Sequence, residues 1–292
     1  MALSRVTQTT MTNSTLRGLQ ASQLRAANLQ NELSTNKKLT KPSDDPAALA
    51  NTMQLRTELA QDNQYLDTIG DASDRLQAAD SALQDTSSLL NRAKALIVNS
   101  QNASLDDAGR NAIATELDAI RQSVISNFNA TYQGRPVFGG TIAGSQAVDP
   151  DTGAYVGNDE DISVRAGRNV NVRVDVKGST VGADVLPDLL AKTAADIRSG
   201  STDVTDDQNQ LDAAMKKVTT SLGDIGARVN QLQSTKTRIT AETTDLTARI
   251  SGLEDIDLAE TIMELTSAQT SYQSALGAAG KIMQTSLLDY LR

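Results

Sequence analysis

The chain has no cysteine, no histidine and no tryptophan in 292 residues, and its aromatics are two Phe and five Tyr. Without thiols or imidazoles it cannot form a disulfide, a thiolate nucleophile, a histidine general base or a zinc site of the usual kind. Most hydrolase chemistry is thereby removed. The ionisable side chains that remain form no convergent cluster along the sequence, so no enzymatic activity, cofactor or metal is expected. A clustered excess of Lys and Arg is missing too: 27 basic residues face 36 acidic ones, for a net charge of -9, which argues against a nucleic-acid partner. No apolar run approaches the roughly 18 residues that span a bilayer, so no membrane partner is expected. Met1 to Asn13 is polar and Thr-rich and lacks the apolar stretch of a secretory signal peptide. The expectation is retention in the cytoplasm or exit by a route that cleaves no signal.

What glycine and proline there is lies in the middle. Ten of the eighteen glycines and three of the five prolines fall between Gly134 and Gly200, marking a turn-rich insert between two helical flanks. Within it Ile162, Val164 and Ala166, then Val170, Val172, Val174 and Val176, alternate with polar residues. Gly167-Arg168-Asn169 between them reads as a turn. This is the period-2 pattern of half-buried strands and predicts a small antiparallel β unit.

The flanks repeat every three, four or seven residues. Leu59, Leu66, Ile69, Leu76, Leu83, Leu90 and Ile97 form one series, and Ile113, Leu117, Ile120 and Val124 another after a break at Asn99 to Gly109. On the far side Val218, Leu222, Ile225, Val229, Leu232, Lys236, Ile239, Thr243, Leu246, Ile250 and Leu253 keep 4,3 spacing, which predicts a long coiled-coil helix. Lys236 and Thr243 are polar members of that stripe; they either sit where the seam frays or snorkel outward, or they set register or face another subunit. Beyond Ser251-Gly252 the phase slips to Leu258, Ile262, Leu265, Gln269, Tyr272, Leu276, Ala279 and Met283, the sign of a joint between two helices. At the N-terminus Leu16, Leu19, Gln23, Ala26, Gln30 and Leu33 give a thinner stripe, followed by a break from Thr35 to Pro46. A helix so poorly provided needs a partner, and the other thin stripe at the C-terminal end is the natural one.

The fold class expected is therefore mainly α: long antiparallel coiled-coil helices formed from both chain ends, with a small antiparallel β insert in the middle. Three domains are expected. Residues 1–44 with 255–292 form a terminal coiled coil, 45–135 with 186–254 a central helical bundle, and 136–185 a β-rich outer insert.

Local motifs that could carry chemistry resolve to structure. In Ser43-Asp44-Asp45-Pro46, Asp45 can cap a helix whose first position is Pro46, with Asp44 favouring the helix dipole. Asp149, Asp151 and Glu160 fall at positions 1, 3 and 12 of a calcium-loop pattern, but Ala154 stands where glycine is required, and Asp149 to Gly153 reads better as a hairpin turn. Gly134 to Gly140 lacks the Lys-Ser/Thr of a phosphate loop and reads as a helix stop.

Several stretches taken together resemble the bacterial flagellin superfamily, and most nearly its hook–filament junction branch. They are Leu24 to Leu59 with "LSTNKKL" and "PSDDPAA", Tyr132 to Thr141 ("YQGRPVFGGT"), Gly223 to Leu232 ("GDIGARVNQL"), and Asp255 to Leu291 with "DLAETIMELTSAQTSYQSAL" and "SLLDYL". The resemblance implies an extracellular structural adaptor at the hook–filament junction, exported unfolded through the flagellar type III apparatus with an export chaperone. Its implied partners are other copies of itself in an axial ring, hook-associated protein 1 and flagellin. A filament flagellin, or an intracellular coiled-coil scaffold, is the alternative. The subunit-interface residues expected on the terminal helices are Leu16, Leu19, Leu33, Ile262, Leu265, Tyr272, Leu276 and Leu287, whose competing role is packing within the chain.

Overall fold

The structure, a computed structural model, describes residues 8–102, 105–142, 144–201 and 204–290. Two helices lead, α1 (Gln8–Thr35) and the 55-residue α2 (Pro46–Ser100), followed by α3 (Asp107–Phe128). Four short strands come next, β1 (Thr131–Tyr132), β2 (Arg135–Pro136), β3 (Ser163–Gly167) and β4 (Val170–Arg173). The chain then returns to helix in α4 (Gly178–Val181), α5 (Leu186–Arg198), the 50-residue α6 (Thr205–Glu254) and α7 (Leu258–Tyr290). Long helices from both ends around a small β insert are thus what the alternation of periods predicted.

Helix boundaries fall where aspartates can serve the exposed backbone N–H groups. Asp45 Oδ1 accepts from the N–H of Ala47 and Ala48 at the start of α2, at 3.0 and 2.9 Å. Asp106 serves Gly109 in α3, and Asp257 serves Ala259 and Glu260 in α7. Each such cap contributes about 1 kcal/mol. Asp44 acts differently from the expected dipole partner. Its carboxylate turns back to accept from the N–H of Lys41 and Thr40, and the Lys41 N–H above all holds it below the usual carboxylate range. It staples the loop, while its neighbour starts the helix.

The chain forms two compact units, a terminal one (1–60 with 244–292) and a central one (61–243). In the central unit Ile69, Leu76, Leu83, Leu90 and Ile97 of α2 are all buried, as are Ile113, Leu117, Ile120 and Val124 of α3 and Val218, Ile225, Leu232 and Ile239 of α6. The β insert shares this core through Val137, Phe138, Val172, Val174 and Val176. The chain's two phenylalanines, Phe128 and Phe138, meet edge to face at 5.8 Å, which adds about 1 kcal/mol to their burial.

Two antiparallel two-stranded sheets make up the insert. The pair β3–β4 aligns Val164 with Val172, with Arg168 and Asn169 turning between the strands and an irregularity at Ala166. Gly134 to Gly140 is not a helix stop. The helix ends earlier, at Phe128, and Gly134 to Pro136 belong to the β1–β2 hairpin, turned by Gln133 and Gly134 at φ 49° and 75°. Two consecutive positive φ values match the hairpin twist, and a glycine at the second makes it accessible. Asp149 sits in a turn, accepting from the N–H of Asp151 and Thr152 at 2.9 Å. Among the described residues no three acidic side chains stand together as a metal site would require.

Candidate assembly interface on the terminal helices

Helices α1 and α7 pack on each other in the terminal unit. They run antiparallel, since Asn36 O accepts from Ile256 N–H while Arg25 meets Glu264 at 3.5 Å further along both helices. The faces in contact are Thr15, Leu19, Ser22, Ala26, Leu29 and Leu33 on α1, and Thr261, Leu265, Ala268, Tyr272, Ala275 and Ala279 on α7, all buried or half-buried. Both sets keep strict 4,3 spacing. Their members are mostly small, and an open groove of about 480 Å³ remains beside them, bordered by Ser22, Arg25, Glu264 and Ser267.

These are not the stripes read from the sequence. On both helices every second position of the expected stripe is one residue off. The contact takes Thr15, Ser22 and Leu29 in place of Leu16, Gln23 and Gln30, and Thr261, Ala268 and Ala275 in place of Ile262, Gln269 and Leu276. The same slip occurs on α6, where Arg228 and Thr235 are buried and Lys236 is exposed. Lys236 thus points out of the buried seam of α6, which Thr235 fills instead. On α1 and α7 the longer side chain of each such pair faces away from the contact, because burial follows angle and one residue turns a helix by about 100°.

The candidate interface residues consequently divide. Leu19, Leu33, Leu265 and Tyr272 are half-buried on the α1–α7 contact. Leu16, Ile262 and Leu276 are not in it: they are 51%, 47% and 46% exposed. Leu258, also exposed, lies with Ile262 and Leu276 about 60–100° round α7 from the contact, from the same rotation per residue. The result is a second, uncovered apolar stripe alongside the first. Leu287 belongs to α7, but its side chain is outside the described residues.

One feature of the terminal unit leaves no local sequence signal. Glu254, the last residue of α6, is 4% exposed, and its carboxylate takes both Lys37 Nζ at 2.8 Å and Arg56 Nη2 at 2.7 Å. The N–H of Lys38 donates to Glu254 O at 2.8 Å. Burial alone would push the carboxyl up; the bonds from Lys37 and Arg56 outweigh it and hold the group below its ordinary value. This clasp ties the α1–α2 loop to the α6–α7 joint. The joint falls at Asp255–Asp257, just past the expected Gly252.

Comparison with known proteins agrees with this anatomy. Residues 6–143 match the model of the bacterial flagellin N-terminal helical region, and residues 209–291 that of the C-terminal helical region. Flagellar hook-associated protein 3 of Escherichia coli K12 is 26% identical over 72% of this chain and 65% of its own. Its namesake in Salmonella typhimurium is 29% identical over 54% of this chain and 50% of its own, so the chain spans half to two thirds of these relatives. A solved flagellar hook-associated protein from Vibrio parahaemolyticus has the same fold, with a TM-score of 0.66 at 24% identity, covering 73% of this chain and all of that one. With the helical regions of both its ends matched and paired, the chain belongs to the bacterial flagellin family.

Proposed function

We propose that this chain is a structural adaptor of the bacterial flagellum at the hook–filament junction, polymerising through its terminal helices. The observation that carries the reading is the uncovered stripe of Leu16, Leu258, Ile262 and Leu276 beside a contact built from small residues. A terminal pair meant only to hold itself together would turn its leucines and isoleucine inward. Burying the exposed half of a Leu or Ile side chain contributes about 1 kcal/mol, so a stripe of four offers about 4 kcal/mol per subunit to whatever covers it. The names of the relatives support the place in the flagellum.

On this reading the partners are further copies in an axial ring, hook-associated protein 1 on the hook side and flagellin on the filament side, with a dedicated chaperone during type III export. The location is outside the cell, and the role is structural and not catalytic. No helix of the described residues is long and apolar enough to cross a membrane. Residues 1–44 with 255–292 would form the inner layer, 45–135 with 186–254 the next, and the insert 136–185 would face outward. Immunogold labelling of isolated flagella with an antibody to residues 144–182 tests this. A single band where hook meets filament is expected. Label along the whole filament would make the chain a flagellin, and flagella without label would point to an intracellular scaffold.

A further inference from the structure

The central unit carries two surface features of opposite charge and similar make-up. The first is a cavity of about 480 Å³ between α2 and the insert, with Asp71, Ala72 and Arg75 on the helix side and Arg135, Ile162 and Val164 opposite. A second cavity of about 400 Å³ shares Thr68 and Val164 with it, so the two form one groove with an apolar floor. Neither the Arg75 nor the Arg135 side chain makes a hydrogen bond or ion pair with a described residue, and Arg75 Nε is buried without an acceptor. Burial pulls the Arg75 guanidinium below its ordinary value, Asp175 opposes that, and Arg135 adds to it. Two guanidinium groups thus share the opening with one carboxylate, Asp71, which leaves it a net positive charge in a chain of net charge -9.

The second feature is a patch around Tyr155. Val156 and Val185 are 50% and 37% exposed. Asp184, next to Val185, is exposed and has no ion-pair partner among the described residues, while exposed Asp159 accepts from Ser179 Oγ at 2.6 Å. The Tyr155 ring lies against Gly178, whose carbonyl accepts from the N–H of Ala183 at 2.9 Å, so Ser179 with its partner Asp159 on one side and Asp184 and Val185 on the other flank the same ring. Burial, and after it both carboxylates, push the Tyr155 hydroxyl up. The patch presents valines flanked by carboxylates; the groove presents valine and isoleucine flanked by guanidinium groups.

We propose that the groove at Arg75 and Arg135 receives the Val156–Asp159–Asp184–Val185 patch of a second copy of this chain. Because groove and patch are different surfaces, the contact is head-to-tail and propagates from copy to copy, closing into a ring or continuing as a helix. Guanidinium and carboxylate pair in a fixed fork geometry, which would set the angle between neighbours, while the valines bury against the floor. The inference rests on assembly in the flagellum but adds a lateral contact between central units, independent of the terminal helices.

The absence of cysteine gives a test without background. Full-length chain carrying Thr68→Cys and Val185→Cys replaces the wild type in cells, and isolated flagella are treated with a short bismaleimide. A ladder of dimers, trimers and larger species is expected, with dimers at most in either single variant. Monomer alone in the double variant overturns the contact. Charge exchange checks it separately: Arg135→Glu and Asp184→Lys each reduce the protein retained in flagella, and combining them restores it. Reduction without restoration, or no reduction, also overturns the contact. Absence of the wild-type chain from flagella refutes the junction reading instead, so the two failures are distinct.

Discussion

The central and terminal units use the same heptad spacing with different side chains. In the central unit the repeating positions are Leu76, Leu83 and Leu90 on α2 and Val218, Ile225 and Leu232 on α6, each 1% exposed or less. On the terminal unit's α1 and α7 they are Thr, Ser and Ala interleaved with half-buried Leu and Tyr, and among the described residues of those two helices the buried apolar side chains are Leu29 and Ala268, 6% and 9% exposed. Spacing therefore specifies that helices pair, and side-chain volume specifies how strongly. The central unit closes over its large side chains, whereas the terminal unit leaves Leu16, Leu258, Ile262 and Leu276 exposed.

Truncating one buried leucine in each unit gives the largest test of that difference. Leu83→Ala removes a fully buried side chain from a closed core and should cost about 3 kcal/mol, by the usual penalty for a cavity. Leu29→Ala lies in a contact with an open groove beside it, which can relax, so its cost should fall near 2 kcal/mol, the low end of the same range. Calorimetry of the full chain measures both. Equal losses would mean that the terminal pair is as firmly packed as the core.

Much of this was legible in the sequence, and the errors share one cause. Period-2 valines located the β insert, heptads located α2 and α6, and Asp45-Pro46 located the start of α2. Phase within the heptad was misread because two stripes lie side by side on α7. Leu258, Ile262 and Leu276 belong to one, Leu265, Tyr272 and Ala279 to the other, and joining the largest residues crosses between them. The small-residue series from Thr261 to Ala279 keeps the 4,3 rule without a break and would have identified the contact. The Glu254 clasp had no such signal, since Lys37 and Arg56 lie 217 and 198 residues away along the chain.

That clasp sharpens the comparison through pH. The carboxyl of Glu254 is held below its ordinary value in the folded chain. The stability it contributes is therefore fully present above the ordinary glutamate value, about 4.3, and is lost as pH falls through the lower folded value. Replacing it as Glu254→Gln should cost about 1.5 kcal/mol, the worth of hydrogen bonds to a charged group, and should flatten stability below about pH 4.5. The fall should appear in hydrogen exchange of residues 36–40 and 250–258, with the central core unchanged. A uniform loss across both units would place the clasp in the stability of the whole chain.

The smallest effect on the monomer carries the sharpest contrast. Ile262→Ser and Leu276→Ser each change a side chain that is about half exposed and outside the α1–α7 contact, so each should alter the thermal stability of the free chain by no more than about 0.5 kcal/mol. Thr261 and Ala268, on the adjacent face of the same helix, supply the contact regardless. If the uncovered stripe is where neighbouring subunits bury their surface, the double variant should nevertheless leave cells with hooks but few filaments, counted by electron microscopy, although the purified chain melts normally. Stability and assembly then separate on adjacent faces of one helix. A double variant that assembles filaments as well as the wild type would return the stripe to ordinary exposed surface, while one that unfolds would show that α7 packs through a wider face than Thr261 to Ala279.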